Sequence, residues 1–348
     1  MGLFDGAVDG TGSTADAAAK LGWPVVLVVD VKGQSASAAA VVEGFARHRD
    51  DVTVAGVIFN RVGGERHLRM LEEAIAPTGA PCLGHVPWSS DLDLPSRHLG
   101  LVQAREHGEF ESWIERAAGI VGDAVDLDAL TKLAAGYEPA APNTGSQAIP
   151  PLGTHIAIAR DDAFAFTYPH VLERWEQAGS TLSYFSPLAD EPVPEIADGV
   201  YLPGGYPELH AAMLAGNSTF LGSLMDAASR EANIYGECGG FMVLGEVLID
   251  ADGVSHPMAG LLAIETSFAE RKLHLGYRTM VTQTDSALGP SGSVFKGHEF
   301  HYASITQTSG EPLFEAKDAL GENTSLVGAA SGTVCGSFMH IIDAETPW

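Results

Sequence analysis

Cysteine is scarce in this chain: there are three in 348 residues, Cys82, Cys238 and Cys335, widely spaced and odd in number. That count excludes a disulfide framework, offers no zinc-ribbon spacing, and fits a reducing, cytoplasmic setting. Basic residues are few as well. Nineteen lysines and arginines stand against 45 acids, a formal net charge of -26, which disfavours nonspecific binding to nucleic acid or to an anionic membrane surface. Solubility is a sufficient reason for that charge. No apolar run approaches the roughly 20 residues of a membrane helix, and no signal peptide opens the sequence. A phosphate loop of the G-x-x-x-x-G-K-[ST] type is also missing, since none of the six lysines (Lys20, Lys32, Lys132, Lys272, Lys296, Lys317) stands in that setting.

What is present is a hydrophobic content of 45%, enough for about two domains with cores of their own. The most informative motif is Gly-Glu-Cys-Gly-Gly at 236–240, which sets Cys238 in a G-x-C-x-G frame after the β-like run at 232–235. A nucleophile on a sharp strand-to-helix turn needs small neighbours, and the following helix start offers amides to a thiolate or an oxyanion. A small buried core cysteine between turn glycines is the plainer alternative.

In the first half, strand-like apolar runs at 24–30, 52–60 and 81–87 alternate with helix-like segments at 35–47 and 65–75. The run at 24–30 is predicted to be a strand buried on both faces, and repeated β and α units imply a doubly wound sheet. Ligands of such sheets bind at carboxyl ends of strands, which singles out Asp30, Asn60, Arg61 and Pro87, though polar residues also cap strand ends without function. The opening stretch at 2–14 gathers two acids, hydroxyls and four glycines and suits a loop that holds metal or phosphate.

Proline, glycine and small polar residues without periodicity mark a linker over 138–153. The expected organisation is therefore 1–137, the linker, and a second α/β domain over 154–348. Within the latter, Gly204 and Gly205 follow the strand candidate at 199–202 and would expose backbone amides to an oxyanion. A base for Cys238 is offered by His340, which ends the apolar run at 334–339 and would project from a strand end. A core histidine is the alternative. Glu299 and His301 fall on one side of a predicted half-buried strand at 296–302. Without a third ligand nearby no metal site is assigned to them, and substrate or domain contacts are preferred. The basic segment at 271–278 either neutralises an anionic substrate or is a solvated strand edge.

Taken together, Gly-Leu-Phe-Asp-Gly at 2–6, Gly-Ser-Thr-Ala-Asp at 12–16, Asn-Arg-Val at 60–62, Arg-His-Leu-Gly-Leu at 97–101, Pro-Gly-Gly-Tyr-Pro-Glu at 203–208, Glu-Cys-Gly-Gly at 237–240, Leu-His-Leu-Gly-Tyr-Arg at 273–278, Gly-His-Glu-Phe-His-Tyr at 297–302 and Gly-Ser-Phe-Met-His at 336–340 resemble the cobyrinic or hydrogenobyrinic acid a,c-diamide synthases of cobalamin biosynthesis. The blocks run in order from the first residue to His340. The resemblance implies a dethiobiotin-synthetase-like P-loop domain followed by a class I glutamine amidotransferase domain. It implies that Cys238 attacks glutamine to form a thioester, that His340 raises its nucleophilicity, and that amides near Gly205 and Phe241 hold the oxyanion. The ammonia would then amidate the a and c carboxylates of a corrinoid polycarboxylate, activated by ATP with Mg2+ as an acyl phosphate. Asp5 falls where the family places an acid near phosphates and substrate, and Asn60 where it recognises adenine.

Many class I glutaminases carry a glutamate two residues after the histidine; here that position is Ile342, so a cysteine and histidine dyad is expected. Family members also continue for roughly ninety residues before the Gly-Leu-Phe-Asp-Gly block, phosphate loop included. The expectation is an amino-terminally truncated chain, defective in the ATP step. Cobyric acid synthase is the sister alternative, and a corrinoid- or partner-binding scaffold without turnover is the non-enzyme one. A homodimer is one option for assembly, specified by no residue.

Overall fold

The computed structural model describes residues 2–94, 96–97, 100–101, 108–135 and 149–345. The chain divides into two compact units, Met1–Pro142 and Asn143–Trp348. Of the expected linker, 138–148 lie outside the described residues, as do His98 and Leu99 of the 97–101 block. Residues 149–153 belong to the second unit in substance: Ile149 and Leu152 are buried in its core, and Trp175 Nε1 donates to the Ile149 carbonyl at 3.2 Å. No described helix is long and apolar enough to cross a membrane.

The first unit begins with helix α1 (Thr14–Leu21), whose start is fixed by a capping box between Ser13 and Asp16 and whose end is Gly22 at φ 66°, a left-handed cap open to glycine without strain. Strands β1 (Val25–Asp30), β2 (Val54–Val62) and β3 (Cys82–Pro87) pair in parallel in that order, with α2 (Ser37–Arg47) and α3 (Glu65–Ile75) as crossovers. Val29, Val42, Val57, Phe59, Leu71 and Ile75 form the core of this layer. Expected burial of β1 on both faces is not found: Val28 is 62% exposed, because β1 is the edge of the three-stranded sheet and its outward side chains have no covering helix among the described residues.

In the second unit β4 (His155–Ala159) leads through α4 (Pro169–Gln177) to β5 (Thr181–Phe185), then β6 (Gly199–Leu202), α5 (Ser218–Ser229) and β7 (Asn233–Glu237). Helix α6 (Gly239–Leu244) follows at once. After it come the long strands β8 (His274–Thr282) and β9 (Val294–His301), then β10 (Phe314–Asp318), β11 (Ser325–Val327), β12 (Ala329–Ser331), β13 (Val334–Ser337) and β14 (Met339–Ala344).

One sheet runs β12-β13-β7-β6-β4-β5, parallel except at the β12 edge. Its central order places β5 and β6 on opposite sides of β4, the strand reversal that opens a crevice at the carboxyl ends of a doubly wound sheet. Alternation along β4 sends Ala157 and Ala159 into a core shared with Phe220, Leu224 and Phe241 from the helices, while Ile156 and Ile158 meet Trp175, Phe295 and Phe314 on the other face. Phe295 and Phe314 come from the antiparallel sheet β11-β10-β8-β9-β14. The segment at 271–278 is in part the strand edge it was read as: from His274 to Tyr277 it pairs only with β9, leaving Leu275 and Tyr277 exposed, and β10 joins on the other side from Arg278 onward.

Candidate active site

Cys238 sits between β7 and α6 at φ 50°, ψ -100°, a region that L-residues rarely adopt and that costs about 1–3 kcal/mol to hold. Its frame is steric: a Cβ on Gly236 would stand 2.6 Å from Leu244 Cδ1, and one on Gly240 would collide with the Leu202 carbonyl. The glycines therefore let helix α6 close directly onto β6 and β7. The Cys238 amide donates to the Ser337 carbonyl at 2.8 Å and the Gly240 amide to that of Pro203 at 3.1 Å, which locks the turn between the two neighbouring strands.

The same register delivers the histidine. Ser337 pairs with Glu237 across β13 and β7, and the chain then breaks at Phe338 and crosses into β14 of the other sheet. His340 is thus the second residue of a new strand, not the end of the expected one, and it lies opposite His298 of β9. It lies beside the Cys238 side chain, and Gly204 lies against both: a Cβ there would stand 2.6 Å from His340 Cε1 and 3.4 Å from Cys238 Cβ. Cys238 and His340 are 5% and 4% exposed, so their interaction is hardly screened by water.

Burial works against a charged His340, but the Cys238 sulfur and the Glu237 carboxylate outweigh it and hold the imidazole up to about 10. His298, stacked on His340 at 4.7 Å and 7°, is pushed the other way, to about 4, first by burial and then by its cationic neighbour. Tyr168 hydroxyl meets His298 Nε2 behind it.

Sequence reasoning missed Glu237. It is 1% exposed, and its two oxygens accept from Tyr201 Oη (3.2 Å), His340 Nδ1 (3.0 Å), Tyr235 Oη (3.3 Å) and the Ile341 amide (3.1 Å). The available signal was its place on β7 two residues after Tyr235, hence on the same face of the strand.

Gly205 lies beside this pair of strands, its Cα pressed so close to Ala163 that a Cβ would meet the Ala163 carbonyl carbon at 2.6 Å. No hydrogen-bond acceptor for its amide is found among the described residues. Phe241 is buried in the first turn of α6, where amides lack an acceptor inside the helix, and its ring meets Phe338 edge-on at 5.4 Å. Glu299 and His301 do share a face: His301 Nε2 lies 2.9 Å from Glu299 Oε1, and Arg278 donates to Glu299 Oε2 at 2.8 Å. The third ligand that the sequence did not offer is supplied by folding, since His274 stacks on His301 at 4.7 Å and the three donor atoms lie within 4.8 Å of one another. Arg278 already balances the Glu299 carboxylate there.

In the first unit, Asn60 lies near the carboxyl end of β2 opposite Asp30 and Val86, its Oδ1 accepting from the Arg61 amide at 2.9 Å, which leaves its own amide protons to donate. Arg61, at φ 62°, turns back to pair with Asp30. Asp5 accepts from the Gly2 amide at 2.7 Å, Asp9 from Thr11, and Asp16 from Ser13 and Arg49. These acids serve the loop's own hydrogen bonds and do not converge on a cation. Among the described residues of this unit, no group of three carboxylates, histidines or cysteines is gathered that could hold a metal ion.

A strained cysteine on a strand-to-helix turn of a doubly wound sheet, with a histidine beside it, is the arrangement of a glutamine amidotransferase domain. Residues 155–348 match the CobB/CobQ-like glutamine amidotransferase domain, and residues 6–96 match an AAA domain. Hydrogenobyrinate a,c-diamide synthase of Brucella abortus biovar 1 (strain 9-941) is 54% identical over 346 residues, covering 99% of this chain and 78% of that protein. The proteins of that name from Rhizobium meliloti (strain 1021) and Mesorhizobium japonicum are 51% and 48% identical, over 99% and 98% of this chain and 79% and 78% of their own. The chain belongs to the hydrogenobyrinate a,c-diamide synthase family, amidotransferases that act as carbon–nitrogen ligases.

Proposed function

We propose that this chain takes ammonia from glutamine at Cys238 for ATP-dependent amidation of the a and c carboxylates of hydrogenobyrinic or cobyrinic acid. The glutaminase belongs to residues 154–348, and nucleotide and corrinoid binding involve residues 1–137. The observation that carries this reading is His340 packed beside a backbone-strained Cys238 across Gly204, which leaves no room for a Cβ between them. The Cys238 sulfur attacks the glutamine side-chain carbonyl carbon, and the electron pair moves to oxygen. Amides near Gly205 and Phe241 receive that oxyanion in this reading. His340 gives its proton to the departing nitrogen, ammonia leaves, and a thioester remains. Neutral His340 then takes a proton from water, which attacks the thioester carbonyl and releases glutamate, regenerating the pair. ATP, when bound, supplies the activation of the corrinoid carboxylate, with Asn60 as its adenine contact. Glu299 and His301 are assigned to substrate contacts, and the free thiols fit a cytoplasmic setting. Glutamine hydrolysis by the wild-type chain and by Cys238→Ala is the test: ammonia release confined to the wild type supports the assignment, and equal release from both would overturn it.

A further inference from the structure

We infer that Glu237 is the positioning residue that completes a three-member unit with Cys238 and His340, supplied from the residue before the nucleophile instead of from the position two residues after the histidine. The inference rests on the reading of Cys238 as the attacking thiol. Its geometry does the work of an acid partner. Glu237 Oε1 faces His340 Nδ1 at 3.0 Å, so the proton of that nitrogen is committed and the other ring nitrogen is left to serve Cys238, which borders Gly204 together with His340. The carboxylate cannot swing away, because Tyr201 and Tyr235 hydroxyls hold one oxygen each and the Ile341 amide, from the residue after His340, ties the second oxygen to the same strand as the imidazole. Four donors saturate the acceptor sites of a carboxylate, and Tyr201 and Tyr235 stack at 5.9 Å, which keeps both hydroxyls aimed. Ile342 occupies the position where other glutaminases place their glutamate, so this acid takes the role from a strand of the other sheet.

A carboxylate here favours the imidazolium that the thiolate needs, and the groups facing His340 decide the balance. Cys238 and Glu237 favour its charge, while burial and the stacked His298, backed by Tyr168, oppose it. Removing the Glu237 charge while keeping its shape must therefore lower the pH at which His340 loses its proton. Nitrogen NMR of full-length chain labelled at histidine reads that midpoint directly. Glu237→Gln is expected to shift it down by about one to three pH units, the effect of an opposite charge at this distance. Glutamine hydrolysis should fall by about 10²- to 10⁴-fold in kcat with KM little changed, the range of acid–base assistance. Glu237→Asp, which keeps the charge, should recover part of the midpoint. An unshifted midpoint and unchanged kcat in Glu237→Gln would overturn the inference while Cys238→Ala remained inactive. If Glu237→Gln does not fold, the wild type still decides: a far-downfield Nδ1 proton of His340, absent from His340→Gln, is expected, and its absence from the wild type overturns the role. Equal ammonia release from wild type and Cys238→Ala would instead refute the nucleophile assignment.

Discussion

Gly204→Ala should disable the site while leaving most of the fold in place. The backbone of Gly204 does not occupy the left-handed region, so alanine meets no conformational barrier of its own. The barrier is spatial, since the added Cβ would lie 2.6 Å from His340 Cε1, whereas carbon pairs rest at about 3.5–4.0 Å. The imidazole must therefore retreat by about 1 Å. It has little room, because His298 is stacked behind it at 4.7 Å and Glu237 holds Nδ1 at 3.0 Å. Overpacking of this kind costs about 1–3 kcal/mol of stability. A displacement of about 1 Å at a reacting pair costs about 10²-fold in rate, or about 2.7 kcal/mol of transition-state stabilisation. Glutaminase kcat/KM alongside urea unfolding of the same preparation separates the two effects. A Gly204→Ala protein with wild-type kcat/KM would refute the packing of His340 between Gly204 and His298.

Phe220 is fully buried between Phe164 and Phe185, at ring separations of 6.5 and 6.2 Å, and Phe220→Ala should lower the urea-unfolding free energy by about 3–5 kcal/mol. His298 is held neutral down to about 4, against 6.5 for the free side chain, so the unfolded chain binds a proton over that window that the folded chain refuses. Its contribution to stability is complete above about 6.5 and is lost as pH falls through the window; His298→Asn should flatten that acid limb in unfolding measured from pH 7 to 4. Arg278→Met removes the donor on Glu299 Oε2 and should cost about 1–3 kcal/mol by thermal or urea unfolding, the loss of a hydrogen bond to a charged, partly buried group.

The periodic segments were legible in the sequence because periodicity and glycine placement are local properties. Expected strands at 24–30, 52–60, 81–87 and 199–202 correspond to β1, β2, β3 and β6, and the helix over 65–75 has the bounds of α3. The elbow was legible for the same reason: a turn that tolerates no Cβ at 236 or 240 writes glycine into the chain. What was hidden depends on partners far away in sequence. The apolar run at 334–340 reads as one strand, yet the chain breaks at Phe338 because Ser337 must pair with Glu237 while Met339 must pair with Glu299 in another sheet. Glu237 was hidden within its own motif, since its carboxylate meets Tyr201, His340 and Ile341, residues of other strands far from it in the chain. His274 likewise joins Glu299 and His301 only through the β8–β9 register, which sets His274 opposite His301. Exposure of Val28 reflects the edge position of β1, which no apolar run announces.

Covalent labelling by a chloroketone analogue of glutamine, read by peptide mass spectrometry, tests the central claim most directly. Cys335 is fully buried, with its thiol pushed up to about 12, and Cys82 is raised by burial as well, so neither should compete at neutral pH. The expected result is a single adduct on Cys238, suppressed by excess glutamine and slowed in His340→Ala. Labelling spread over Cys82 and Cys238 alike, indifferent to glutamine and to the loss of His340, would contradict a glutamine-attacking cysteine at the β7–α6 turn.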